Sequence, residues 1–315
     1  MTTDPPVPVL FIGGIGRSGS TVFELSLGTD ARVVSLGEVI HLWDRSLIDD
    51  ESCGCGEPFS RCDFWQQLGE QAFGGWSHID AQHVHGLRRR IDRTVRTPQL
   101  ALGVGPAGWL DDVREYASYY ERLYRAALEV SGRELVVDSS KQASMPYVLR
   151  HAPGVDLKVM HCLRDSRAVA YSWTKRVQRP EARTDEARFM TQYSPGLLGL
   201  KWMQHNAVIE GLRLRGVPTM RLRYEDWAEE PVAALEEALE FAGLETRRNE
   251  AVTRDWVDLP VSHTCSGNPM RFRTGRVRIR RDEAWTKTFP RRSRLLVTGL
   301  TGPALAAYGY LRRQR

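Results

Sequence analysis

Lysine is scarce in this 315-residue chain. Lys141, Lys158, Lys175, Lys201 and Lys287 are the only five among 44 basic residues, so arginine carries nearly all the positive charge. A single arginine therefore says little, whereas a lysine in a loop is informative. Long hydrophobic runs are missing too: no apolar stretch reaches the roughly 18 residues that a membrane-spanning helix needs. The amino terminus carries neither a basic leader nor a small-residue cleavage site, so a cytoplasmic location is expected. There is no fixed-period repeat, and 27 glycines with 16 prolines are near ordinary usage, which excludes solenoids, collagen and long flexible linkers. Five cysteines are an odd number, and without a secretory leader they argue against a disulfide framework. Acidic residues fall slightly short, 39 against 44 basic, for a net charge of +5 and a pI near 9.0. That excess suits a small polyanionic ligand and is thin for a dedicated nucleic-acid binder.

What remains, 42% hydrophobic and 26% charged residues, describes an ordinary globular chain. Short apolar runs at 8–14, 32–36, 134–138, 157–163 and 217–223 read as strands. Helical patterns begin near Ser20 and cover 111–130, 166–176, 197–214 and 231–242. This alternation predicts an α/β fold with a mainly parallel sheet flanked by helices. Ligands of such sheets bind beyond the carboxyl ends of the strands, so the loops at 14–21, 37–41, 138–141 and 164–166 should converge on one crevice. Residues 48–110, rich in Gly, Cys, His and Trp, read as an irregular insertion over that crevice. No linker is evident, so a single domain over 1–315 is expected.

Two segments carry chemistry. The first, Gly14-Ile-Gly-Arg-Ser-Gly-Ser-Thr21, lies between a strand and a helix and has the frame of a phosphate-binding loop, in which successive N–H groups cradle an anion. Where a triphosphate-binding loop has Lys, this chain has Ser20, and the cation stands three positions earlier as Arg17. The competing reading is a Gly-rich turn with no ligand. In the second segment a strand delivers Arg164, Asp165 or Ser166 caps the next helix, and Ser172 and Arg176 follow on one face. Taken alone, that helix also fits a solvated basic surface.

Together the segments resemble the sulfotransferases that use 3′-phosphoadenosine 5′-phosphosulfate, most closely the bacterial enzymes and the tyrosylprotein branch. The resemblance implies a P-loop-type sheet in which Arg17, Ser18, Gly19, Ser20 and Thr21 hold the 5′-phosphosulfate while Arg164 and Ser172, helped by Arg176, hold the 3′-phosphate. Glu38 in Gly37-Glu38, Lys141 in VVDSSK and Tyr224 in LRYEDW occupy further family positions. Gly267, Asn268 and Arg271 resemble a donor-covering loop. On this reading 48–135 is a substrate-side insertion, and 250–315 holds the covering loop and a terminal helix.

Sulfuryl transfer requires a cation for the leaving phosphate, orientation of the sulfuryl oxygens and removal of the acceptor proton. Arg17 and the loop N–H groups suit the first need, Lys141 the second and Glu38 the third. The structural alternatives are a helix-start acid at Glu38, a solvated lysine at Lys141 and a core aromatic at Tyr224. The rival functions are a P-loop kinase or NTPase, disfavoured by Ser20 and by the lack of a strand-end Asp for Mg²⁺, and an inactive nucleotide-binding module. Cys53, Cys55 and Cys62 lack both a fourth ligand and the Cys-x2-Cys spacing, so they read as a structural loop and no metal is expected. The arginine-rich run 271–281 reads as an exposed strand, and 295–311 as a docked terminal helix rather than a membrane anchor. The acceptor is expected to be a small molecule, glycan or lipid, in a pocket shaped by 41–135 and its aromatics Trp43, Trp65, Trp76, Trp109, Tyr116, Tyr119 and Tyr120.

Overall fold

Alternate residues of the first strand, β1 (Val7–Gly13), serve different cores. Val7, Val9 and Phe11 pack on one face of the sheet and Leu10 and Ile12 on the other, which is why the strand reads as an unbroken apolar run. The computed structural model describes residues 5–178 and 189–311. In it β1 is the middle of a five-stranded parallel sheet with β2 (Val33–Gly37), β3 (Leu135–Lys141), β4 (Val155–Leu163) and β5 (Thr219–Arg223), in the order β2-β3-β1-β4-β5.

The expected strands are all present, with shifted ends. Arg32 is excluded from β2 because its guanidinium and its N–H both bind Asp30 in the preceding turn. The β3 strand runs past Asp138 to Lys141, since the hydroxyls of Ser139 and Ser140 find partners inside the protein. Helix α1 (Ser20–Leu27) follows β1.

The stretch expected to be irregular is largely helical, with α2 (Asp63–Phe73), α3 (Ala81–Ile91) and α4 (Thr97–Leu102) preceding the long α5 (Trp109–Ser131). The aromatics of 41–135 form core rather than pocket wall, which corrects their expected role. Trp43, Trp65, Tyr116 and Tyr120 are 0% exposed, Trp109 is buried, and Tyr119 and Trp76 pack against the same cluster. Burial is tolerated because the polar ends satisfy one another. The Trp43 indole donates to the Tyr120 hydroxyl (3.0 Å), which meets that of Tyr116 (2.8 Å). One turn on, Tyr124 donates to the buried carboxylate of Asp138 in β3 (2.5 Å).

After α6 (Met145–Leu149), α7 (Ser166–Thr174) and α8 (Pro195–Gly211) come α9 (Tyr224–Glu229) and α10 (Pro231–Ala242), which close the face of the sheet that α1 covers. A small antiparallel pair, β6 (Trp256–Leu259) and β7 (Gly275–Arg278), then takes up part of the arginine-rich run. Beyond α11 (Ala284–Thr288), α12 (Arg291–Ala307) docks on α7 and α8 through Val297, Thr301 and Leu305. No helix among the described residues is long and apolar enough to cross a membrane.

The Tyr124–Asp138 hydrogen bond yields a stability prediction. Tyr124→Phe takes a donor from a buried carboxylate and should cost about 1–3 kcal/mol in urea unfolding. Tyr119→Phe, on the exposed edge of the same cluster, should stay within about 0.5 kcal/mol of wild type. Equal effects would show that the hydrogen bond from Tyr124 to Asp138 adds nothing to stability.

Candidate active site

The turn from β1 into α1 is tight, and two of its residues adopt left-handed backbone, Arg17 (φ 74°) and Gly19 (φ 82°). A Cβ on Gly19 would lie 2.4 Å from the Tyr224 ring, so only glycine lets the loop settle on that tyrosine. Ser18 turns inward and donates to the Ile15 carbonyl (2.8 Å), which locks the turn. Ser20 and Thr21 open α1 and line a cavity of about 580 Å³. No side chain caps α1, so its first N–H groups point at that cavity with the positive end of the helix dipole.

The opposite wall comes from β4 and α7. Arg164, at the end of β4, donates to the Arg17 carbonyl (3.0 Å), pairs with Asp282 (3.2 Å) and lies 4.3 Å over the Tyr224 ring. Asp165, one of the two expected caps, accepts from the Arg167 N–H (2.9 Å) and starts α7. Ser172 reaches the cavity, and the neighbouring Trp173 indole donates to the Gly16 carbonyl (2.9 Å). Tyr224 supports both walls from below. Its hydroxyl donates to the Arg280 carbonyl and accepts from the Asp282 N–H, both at 3.1 Å.

Glu38 and Lys141 form the third wall. Lys141 has left-handed backbone (φ 63°), and its ammonium lies 2.5 Å from Glu38 Oε1, with the side chains 12% and 18% exposed. Burial pushes the Glu38 carboxyl up, but the Lys141 ammonium beside it outweighs burial and holds it below the usual range. Burial lowers His41 to about 4, which leaves that imidazole neutral at pH 7. Gly267 and Asn268 close the rim, with Gly267 so near Glu38 that a Cβ there would meet Oε1 at 2.8 Å.

Two expected residues stand elsewhere. Helix α7 ends at Thr174, so Arg176 leaves the face that Ser172 shares and lies 3.8 Å over the Phe189 ring. Arg271 is 2% exposed, and its guanidinium donates to the carbonyls of Thr264 (2.9 Å) and Ser52 (2.7 Å) instead of lining the cavity. A third residue was not anticipated from the sequence. Glu24, buried in α1, accepts from Ser35 Oγ (2.7 Å), the Gly37 N–H (2.8 Å) and Ser139 Oγ (2.5 Å), and burial raises its carboxyl. The one sequence signal was an acid on the inward face of STVFELSL.

Arg17, Arg45, Lys141 and Arg164 face Glu38 alone among the charged groups of the described lining, His41 being neutral. The Nε atoms of Arg17 and Arg164 are buried without a hydrogen-bond partner, as is that of Arg223 outside the cavity, and Arg17 Nη2 donates to Met190 Sδ (2.9 Å). Lying along α3 is a wider hollow of about 910 Å³, rich in arginine but without any phosphate-loop residue.

A sequence profile of the sulfotransferase domain matches residues 110–292. In fold, the chain is similar to the sulfotransferase domain from the curacin biosynthetic pathway, with 14% identity over 96% of this chain and 98% of that one and a TM-score of 0.50. It also aligns with the sulfotransferase domain from the Synechococcus PCC 7002 olefin synthase, at 21% identity over 96% of each chain and a TM-score of 0.48. No curated protein matches the sequence.

Removing Lys141 leaves Glu38 with burial as its dominant influence. Lys141→Met should therefore cost about 3 kcal/mol at pH 7. A carboxyl held low when folded stabilises above its unfolded pKa and loses that contribution as pH falls through the folded value, so the gap between variant and wild type should close on acidification through the carboxylate range. Urea unfolding from pH 7 down to about pH 3 measures it; a gap that stays constant would contradict the pairing.

Proposed function

The chain belongs to the sulfotransferase domain family, and from that premise we propose that it moves a sulfuryl group from 3′-phosphoadenosine 5′-phosphosulfate to an acceptor hydroxyl. The observation that carries the reading is the meeting of Arg17 and Arg164, each with a buried unpaired Nε, on one cavity at the carboxyl edge of the sheet. Such a pair fits a ligand with anionic groups at two positions.

The phosphosulfate end fits the backbone N–H groups of Arg17 through Thr21, with the Ser20 and Thr21 hydroxyls and the Arg17 guanidinium. Ser18 contributes backbone alone, because its hydroxyl is used within the loop. Arg164 and Ser172 suit the 3′-phosphate, and Tyr224 holds Arg164 flat. When bound, the donor supplies an activated sulfuryl group on a stable leaving phosphate. Arg17 and the loop N–H groups are preorganised to offset the charge that grows on that phosphate.

Glu38 takes the acceptor proton. It is ionised at neutral pH, and its partner Lys141 is shared between this carboxylate and the sulfuryl oxygens. As Lys141 turns to the latter its hold on Glu38 weakens, and burial then raises the carboxyl and makes it the stronger base. We read 1–315 as one domain, with no metal ion in the transfer and a small molecule, glycan or lipid as acceptor.

The test is release of adenosine 3′,5′-bisphosphate from the donor in the presence of a metabolite extract. Glu38→Gln should lower that turnover by about 10² or more with little change in donor affinity, and added Mg²⁺ should leave it unchanged. Turnover unaffected by Glu38→Gln would remove Glu38 from the mechanism, and an absolute Mg²⁺ requirement would contradict the sulfuryl-transfer reading.

A further inference from the structure

Three thiols and an imidazole meet well away from the phosphate loop. Residues 52–58 fold back on themselves, with Ser52 bridged to Pro58 and the Cys53 N–H donating to the Glu57 carbonyl (2.8 Å). This hairpin presents Cys53 and Cys55, while Cys62 stands immediately before α2. The fourth ligand, which the sequence reading did not find, is His263, 201 positions beyond Cys62 on the segment between β6 and β7.

Their ligand atoms all lie within 4.8 Å of one another. The Cys62 sulfur is 3.6 Å from that of Cys53 and 3.8 Å from that of Cys55, and His263 Nδ1 is 3.2 Å from Cys62 Sγ and 3.8 Å from Cys53 Sγ. A tetrahedral Zn²⁺ with Zn–S bonds of about 2.3 Å and a Zn–N bond of about 2.0 Å sets sulfur–sulfur edges of about 3.8 Å and slightly shorter sulfur–nitrogen edges. A disulfide needs its sulfurs about 2.05 Å apart, and all five cysteines are free thiols.

Three thiolates and a neutral imidazole would leave a single negative charge around a divalent cation. His263 is held by stacking on Phe64 (5.2 Å between ring centres, 25° between planes), and its carbonyl accepts from the Trp65 indole (2.9 Å).

We propose that Cys53, Cys55, Cys62 and His263 bind one structural Zn²⁺ that fastens the insertion to the rim of the cavity. All four corners of the tetrahedron are protein ligands, so no position is left for a substrate. The segment from His263 leads directly to the site. Thr264 accepts from the Gly54 N–H (3.0 Å), and Cys265 exchanges backbone hydrogen bonds with Leu36 and Glu38 (both 2.8 Å) before Gly267 packs on Glu38. The ion thus clamps the hairpin to the strand-like segment that fixes the Glu38 backbone. Metal binding and sulfuryl transfer are independent claims, because metal content is measured without any donor or acceptor.

The test is elemental analysis of the untagged full chain, produced with zinc in the medium and purified under reducing conditions without chelator. About one zinc per chain is expected, falling below about 0.1 in Cys62→Ser and in His263→Ala. In case those variants fail to fold, a second measurement uses the wild type, where Co²⁺ substitution should give the visible bands of a tetrahedral site together with thiolate-to-cobalt charge transfer. Wild-type protein with less than about 0.1 zinc that also gives no tetrahedral cobalt spectrum would overturn the proposal. A disulfide between Cys53 and Cys62 in freshly purified protein would overturn it as well.

Discussion

The position of β1 between β3 and β4 governs the cavity. From β1 the chain passes first to the β2 side of the sheet and later crosses to β4 and β5, so the loops after β1 and β4 open side by side at the carboxyl edge. One brings a helix amino terminus and Arg17; the other brings Arg164 and a second helix. The contact between them, Arg164 to the Arg17 carbonyl, is a direct product of the strand order. A different order would separate the two cations and leave neither loop a partner.

A polar interior beneath the loops holds this arrangement in register. Glu24 satisfies donors from β2 and β3, so the helix that begins with the phosphate loop is tied to both strands that deliver Glu38 and Lys141. Asp138, pushed up to about 6 by burial, is likewise secured by Tyr124 and by the Ser140 N–H. Buried carboxyls of this kind are expensive unless every lone pair is met, which commits α1, α5 and β3 to one relative placement. Among the cations of the cavity, Arg17 and Arg164 each keep a buried Nε without a partner.

What the sequence made legible was local. The loop 14–21 and the strand ends carry their signals in consecutive residues, and the Arg164–Ser172 spacing survives because α7 is regular between them. Arg176 failed because a helical pattern does not announce where it stops, and Arg271 because nothing in a chain tells an arginine that binds phosphate from one that ties down carbonyls. The aromatics of the insertion read as pocket because composition gives no direction; their burial follows from mutual satisfaction of polar ends across α5. Glu24 looked like an ordinary helical acid. His263 was out of reach for a simpler reason, since its three thiol neighbours are some 200 residues away in sequence and meet it only in the folded chain.

The donor proposed for this cavity carries anionic groups at both the 5′ and 3′ positions of an adenosine. Calorimetric titration with adenosine 3′,5′-bisphosphate, AMP and ATP tests that assignment without an acceptor. The bisphosphate should bind about 10- to 100-fold more tightly than AMP, the worth of one charge-assisted phosphate contact, and Arg164→Ala should erase that preference while leaving AMP nearly unchanged. ATP binding as tightly as the bisphosphate, or a preference that survives Arg164→Ala, would contradict it.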